Sequence, residues 1–144
     1  MSFAVSAPRD DAERRAALAL RVEVFCEEQG VPRERELDER DQDATHLVAV
    51  SDAQEVVGTC RVVFDGPTAK LGRMAVSEPW RRRGIGTALL DHAIVQAREM
   101  GSARVTLNAQ RDAESLYAAR GFTPIGARFE EAGIEHVAME LELA

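Results

Sequence analysis

The run Arg81-Arg82-Arg83-Gly84-Ile85-Gly86-Thr87 puts three guanidinium groups and two glycines at the head of a stretch in which Ile85, Leu89, Ala93, Ala97 and Met100 fall on one helical stripe. The first amides of such a helix have no intrahelical partner, and the helix dipole there favours an anion by roughly 0.3 to 1 kcal/mol. Gly84 and Gly86 carry no Cβ, so an anion can come close to the backbone. The turn therefore reads as an anion socket, delivered by the strand that holds Met74, Ala75 and Val76. It is not a P-loop, because no Lys follows Gly86. Nor is it a dinucleotide fingerprint: Leu89 stands where a third small residue is required, and Thr106 and Asn108 stand where the next strand should end in an acid. The plain alternative is a surface helix whose basic first turn is merely solvated.

Other reactive side chains are scattered. Cys26 and Cys60 form no CxxC and, with His46 and His136, no metal-ligand spacing, so no metal is expected and both thiols read as reduced core or pocket residues. Trp80 follows Pro79 and reads as packing the turn. The run from Arg33 to Asp43, dominated by Glu34, Glu36, Asp38, Glu39, Asp41 and Asp43, reads as a solvated loop or short helix whose acidity could attract a cationic amine.

These residues need a scaffold, and the apolar pattern supplies one. Ala12 to Phe25 reads as a helix stopped by Gly30 and Pro32. Thr45–Val50 and Val56–Phe64 read as an antiparallel hairpin, and Lys70–Val76 as a third strand leading into the arginine turn. Gly101 is the stop of the long helix. Val105, Leu107 and Ala109 alternate as a strand, and Asp112 is placed to cap a short helix running through Arg120 and closed by Gly121. Val137, Met139, Leu141 and Leu143 make a last strand. Strands before and after helices imply a mixed α/β, or α+β, domain around one sheet.

The chain has 144 residues, enough for one domain, 1–144, and too few for two ordinary ones. Against 25 Asp and Glu stand 18 Lys and Arg, a net charge of -7, which repels nucleic-acid backbones and anionic membranes. No apolar run approaches the roughly 18 residues of a membrane span, and the start MSFAVSAPRD lacks a signal-peptide pattern, so a cytoplasmic location is expected.

Arg81 to Gly86 resembles the pyrophosphate-binding loop of the GNAT superfamily of N-acetyltransferases, which reads Gln or Arg, two residues, Gly, any residue, then Gly or Ala. Leu71 to Val76 resembles that family's central strand. Gln110 to Tyr117, followed by Gly121-Phe122, resembles its second signature, with Gln110 where Asn is usual. Arg21 to Phe25, Glu27 to Pro32, Asp38 to Asp43 and His46 look like the ElaA-like bacterial branch. The resemblance implies a single domain with a central, mostly antiparallel twisted sheet flanked by helices, and acetyl-coenzyme A as co-substrate. It also implies that the backbone of Met74, Ala75 and Val76 pairs with the pantetheine arm. Arg81, Arg82, Arg83, Gly84, Ile85, Gly86 and Thr87 would hold the pyrophosphate, and Asn108, Gln110 and Tyr117 would complete the cofactor site. A backbone N–H of the strand would stabilise the oxyanion as a primary amine of a small molecule, peptide or protein attacks directly.

Tyr117, the only tyrosine, then stands where the family protonates the departing thiolate; its other reading is a helix residue packed on Ala113. Glu28 and His136 are the candidates for the base that collects the ammonium proton, ahead of His46 and His92. Exposed strand faces near the C-terminus would permit a homodimer. Two other readings remain at this point: an acyl-coenzyme A binding module that transfers nothing, and a transferase of a longer acyl chain.

Overall fold

Asp10 opens the first helix by accepting a hydrogen bond from Glu13 N at 2.9 Å, and α1 (Asp11–Arg21) buries Ala17 and Leu20. The helix expected through Phe25 ends as a regular helix at Arg21; the chain then widens into a π-helical stretch, Val22–Glu28. Wider turns of this kind are concentrated at functional sites because they re-aim side chains. In this computed structural model, which describes residues 2–143, Phe25 within it and Gln29 just past its end line a cleft.

Seven strands follow the order β1-β2-β3-β4-β5-β7-β6. They are β1 (Phe3–Ser6), β2 (Thr45–Ser51), β3 (Val56–Asp65), β4 (Thr68–Val76), β5 (Arg104–Gln110), β6 (Thr123–Glu131) and β7 (Ile134–Glu142). All pairs are antiparallel except β4 with β5, which the long helix α3 (Ile85–Glu99) connects. The mixed α+β domain with a mostly antiparallel sheet is the expected one. The short helices α2 (Arg33–Glu36) and α4 (Glu114–Ala118) complete it.

The inner strands β2 and β3 are buried on both faces, and successive residues sort between them. On β2, Leu47 and Ala49 join the main core with Leu89, Leu90 and Ala93 of α3, while Val48 and Val50 pack on Ala17 of α1. Gly58 of β3 lets α3 lie close: a Cβ there would stand 2.5 Å from Ile85 Cγ2.

Several expectations are corrected. Met100 is 64% exposed, because the buried stripe of α3 is Ile85, Leu89, Leu90, Ala93, Ile94 and Ala97 and the helix has ended before it. Asp112 lies inside a single 3-10 turn, Arg111–Ala113, and caps nothing; α4 runs only from Glu114 to Ala118. Leu143 lies past β7, its N–H donating to Ala103 O at 2.9 Å. β1 and β6, the two edge strands, carry no clear alternation; β6 contains Pro124 and a left-handed Gly126 (φ 77) within a register shift.

Candidate active site

The site begins with an extra residue. Thr59 pairs with Ala75 but Arg61 pairs with Gly72, so β4 carries one residue more than β3 between those pairs, and Arg73 there adopts a left-handed φ of 54. The strand has already left β5 before this bulge. The parallel pairing covers only Thr68–Lys70 against Arg104–Thr106, after which the two strands part. A cleft of ≈ 370 Å³ opens between them, lined by Leu71, Gly72 and Met74 from β4 and by Leu107, Asn108 and Gln110 from β5. Along its β4 wall the backbone edge has no strand partner among the described residues.

Of the predicted cofactor residues Met74 lines the cleft, while Ala75, Val76 and the arginine turn, Arg81–Thr87, do not. Gly84 is left-handed (φ 86), Arg82 likewise (φ 63), and the first turn of α3 has no side-chain cap, which leaves its amides available to an external anion. Arg81 donates from Nε to Val76 O (2.9 Å) and pairs with Glu28 (2.7 Å). Arg83 donates to Pro79 O (3.1 Å) and lies over Trp80, 5.7 Å from the ring centroid. Two of the three arginines thus brace the loop. Gly86 sits where a Cβ would meet Leu116 and the Met74 sulfur at 3.4 and 3.6 Å, so helix start, α4 and β4 converge there.

Tyr117, on α4, is 8% exposed and lines the cleft. Its ring meets Phe122 edge-on at 6.0 Å, and its hydroxyl lies 3.9 Å from the Met74 sulfur. Burial, with a smaller contribution from Cys60, pushes the phenol up to about 12, so it remains a proton donor throughout the neutral range.

His136 lines the same cleft, opposite Gln110 in the β5–β7 register and stacked on Phe129 at 5.8 Å. Its Nδ1 lies 2.7 Å from Ile134 O, a separation that requires the proton on Nδ1 and leaves Nε2 as the acceptor nitrogen. Glu28 is not among the cleft-lining residues; its carboxylate is held by Arg81. His46 is buried outside the cleft, donating from Nε2 to Asp41 O at 2.9 Å, and burial pulls its pKa below the ordinary value. Cys60 is a core thiol pushed up to about 12 by burial; Cys26 is half-buried and its thiol is likewise raised, chiefly by burial.

Sequence reasoning missed two sets of partners. Gln110 exchanges hydrogen bonds with Gln29, Nε2 to Oε1 at 2.9 Å one way and 3.3 Å the other, bridging the cleft from β5 to the end of the π-helical stretch. The run taken as a solvated acidic face is instead half of an ion network. Arg21, 1% exposed, holds Glu36 and Asp41 at 2.7 Å each; Arg61 holds Asp38 and Asp41; Arg73 reaches Glu36 and Asp38. Nothing local in the sequence signals these pairs.

A family profile described as an acetyltransferase (GNAT) domain matches residues 10–143. The chain belongs to the GNAT acetyltransferase family. A GNAT relative from Bacillus subtilis, "Uncharacterized N-acetyltransferase YjcF", is 32% identical over 132 residues, covering 91% of this chain and 94% of its own. An acyl-CoA N-acyltransferase from Pseudomonas aeruginosa superposes with a TM-score of 0.83 at 28% identity, over 96% of this chain and 97% of that one. Escherichia coli ElaA does so with a TM-score of 0.84 at 26% identity, over 98% and 99%. In this chain the split strand and the helix start come together at Met74, whose sulfur lies close to Gly86.

Proposed function

We propose that the protein transfers an acetyl group from acetyl-coenzyme A to a primary amine. The observation that carries the reading is the parting of β4 from β5 directly beside the uncapped, Gly84-led start of α3. The donor set fits coenzyme A: a bare strand edge suits a pantetheine chain with two amides of its own, and free helix amides beside Arg82 suit a pyrophosphate. When bound, acetyl-coenzyme A supplies an activated acyl thioester.

The chain's own residues then divide the work. The backbone of Met74, Ala75 and Val76 aligns the arm, and an N–H of that edge donates to the carbonyl oxygen as negative charge develops on it. The amides from Arg82 to Thr87, with Arg81 bracing the turn, hold the phosphates. Tyr117 donates to the departing sulfur. His136 accepts the amine proton at Nε2, directly or through water. Asn108 and the Gln29–Gln110 pair limit the width of the channel at β5.

Calorimetric titration with acetyl-coenzyme A, desulfo-coenzyme A and adenosine diphosphate tests this. Micromolar binding that depends on the pantetheine arm, followed by thiol release with an amine panel, is the expected result. Absence of binding sinks the reading; binding without turnover of any amine leaves an acyl-coenzyme A module.

A further inference from the structure

The charged residues that line the cleft are Arg35, Arg40, Arg61, Lys70 and Arg73 against Glu36 and Glu131. In a protein of net charge -7 this is a local reversal of sign. Glu131, paired with Ile134, stands near His136 rather than Lys70, and the other carboxylates beside these cations are already engaged. Glu36, Asp38 and Asp41 each bridge two of Arg21, Arg61 and Arg73, so three anions and three cations close on themselves. Outside that closed set, Arg40 and Lys70 share one carboxylate, Asp65, at 2.8 and 3.2 Å. Arg35 is exposed and has no carboxylate within 4.0 Å among the described residues. The acidic run offers a cationic amine little: Glu36, its carboxylate in the cleft lining, is paired with Arg21 and Arg73, and Glu34, Glu39 and Asp43 do not line the cleft.

We infer that the acceptor is an amine whose other end carries an anion, a carboxylate or a phosphate, received by Lys70, Arg40 and Arg35. The inference rests on the transferase reading above. Register supports the path: Lys70 lies opposite Val63 and Gly72 opposite Arg61 on one face of the sheet, and Lys70 neighbours Thr106 of β5 two residues before Asn108. An anion seated at Lys70 therefore shares the sheet face of Asn108, Gln110 and His136, along which the amine end can reach the base. Hydrogen bonds from guanidinium and ammonium groups to a carboxylate or phosphate are charge-assisted and stronger than those to a neutral acceptor.

The test is titration of the protein, with saturating coenzyme A to block the Gly84 loop, by two matched pairs of probes. O-phosphoethanolamine is compared with ethanolamine, and β-alanine with β-alaninamide, which separates phosphate from carboxylate. At least one anionic member is expected to bind 10-fold or more tightly than its partner lacking the anion, with the ratio falling below 3-fold in Arg35→Gln/Lys70→Gln. Equal affinities in both pairs, no binding by any probe, or a preference that survives in the double variant overturns the inference. Coenzyme A affinity, measured in the same samples, reports separately on the transferase reading.

Discussion

Tyr117 shows how burial sets a residue's role. Its phenol is pushed up to about 12, whereas an ordinary thiol loses its proton near 8.5, so complete transfer to a thiolate runs uphill by about 3.5 pH units. In the proposed reaction the group would therefore act as a hydrogen-bond donor while charge builds on sulfur, and it stays protonated throughout the neutral range. Tyr117→Phe keeps the ring contact with Phe122 and removes only the hydroxyl. The expected outcome is a fall in kcat of about 10²- to 10⁴-fold, the range of a positioned proton donor, with acetyl-coenzyme A affinity changed by less than about 3-fold. Equal losses in kcat and affinity would assign the hydroxyl to binding. Tyr117 was singled out in the sequence by the resemblance of Gln110 to Tyr117, followed by Gly121-Phe122, to the family's second signature. Gln29 was not visible, because its partner is 81 residues away, and neither was the capture of Glu28 by Arg81 across 53 residues.

The elements repeat this division. The hairpin, the central strand, α3 and β7 were legible because each buries an apolar stripe or alternation of its own. The edge strands and the bulge at Arg73 were not: β6 is exposed along most of its length, and an inserted residue in a bulge shows only when its partner strand is placed beside it. One glycine ties the legible parts together. Gly58 admits α3 onto β3, and Ile85, the atom source of the 2.5 Å approach, is the first residue of α3 and adjoins Gly84. A β-branched, fully packed side chain has no rotamer freedom with which to yield. Gly58→Ala should therefore cost about 1 to 3 kcal/mol by overpacking, a drop in Tm on the order of 3 to 9 °C. Because the displaced element starts at the anion socket, coenzyme A affinity should fall in the variant at temperatures where it remains folded. Circular dichroism melts and calorimetry read both; an unchanged Tm would mean that α3 shifts freely and is not what fixes the socket.

Across the whole molecule, charge is arranged so that the surface is acidic while the buried network beneath α1 and α2 is neutral. Breaking such a network costs more than forming it gains, so it confers geometry rather than net stability. Its pH response follows from the individual groups. His46, lodged between Asp41, Arg14 and Arg21, is lowered first by desolvation and also by the two arginine charges, against the Asp41 carbonyl and carboxylate, which raise it. Its native pKa lies below the unfolded value of 6.5, so as pH falls below 6.5 the unfolded chain takes up the proton first. Stability is whole above pH 6.5 and declines below it, by at most about 1.4 kcal/mol per pH unit until the native value is reached. Burial opposes ionisation of Asp41, but Arg21 and Arg61 outweigh it; for Asp38 the hydrogen bond from Arg61 dominates. Both carboxyls are held low, so their contribution persists down to about 3.8 and is lost only below it. Glu36 has the opposite sign: burial raises it, the native state binds its proton earlier than the unfolded chain does, and this partly offsets the His46 loss as pH falls. The first decline on acidification should accordingly begin near pH 6.5 and belong to His46. Denaturant midpoints measured from pH 7.5 to 5.5 should fall for the native sequence and stay level for His46→Gln, whose amide can still donate to Asp41 O. If both curves stay level, His46 is not the group that couples this fold to pH.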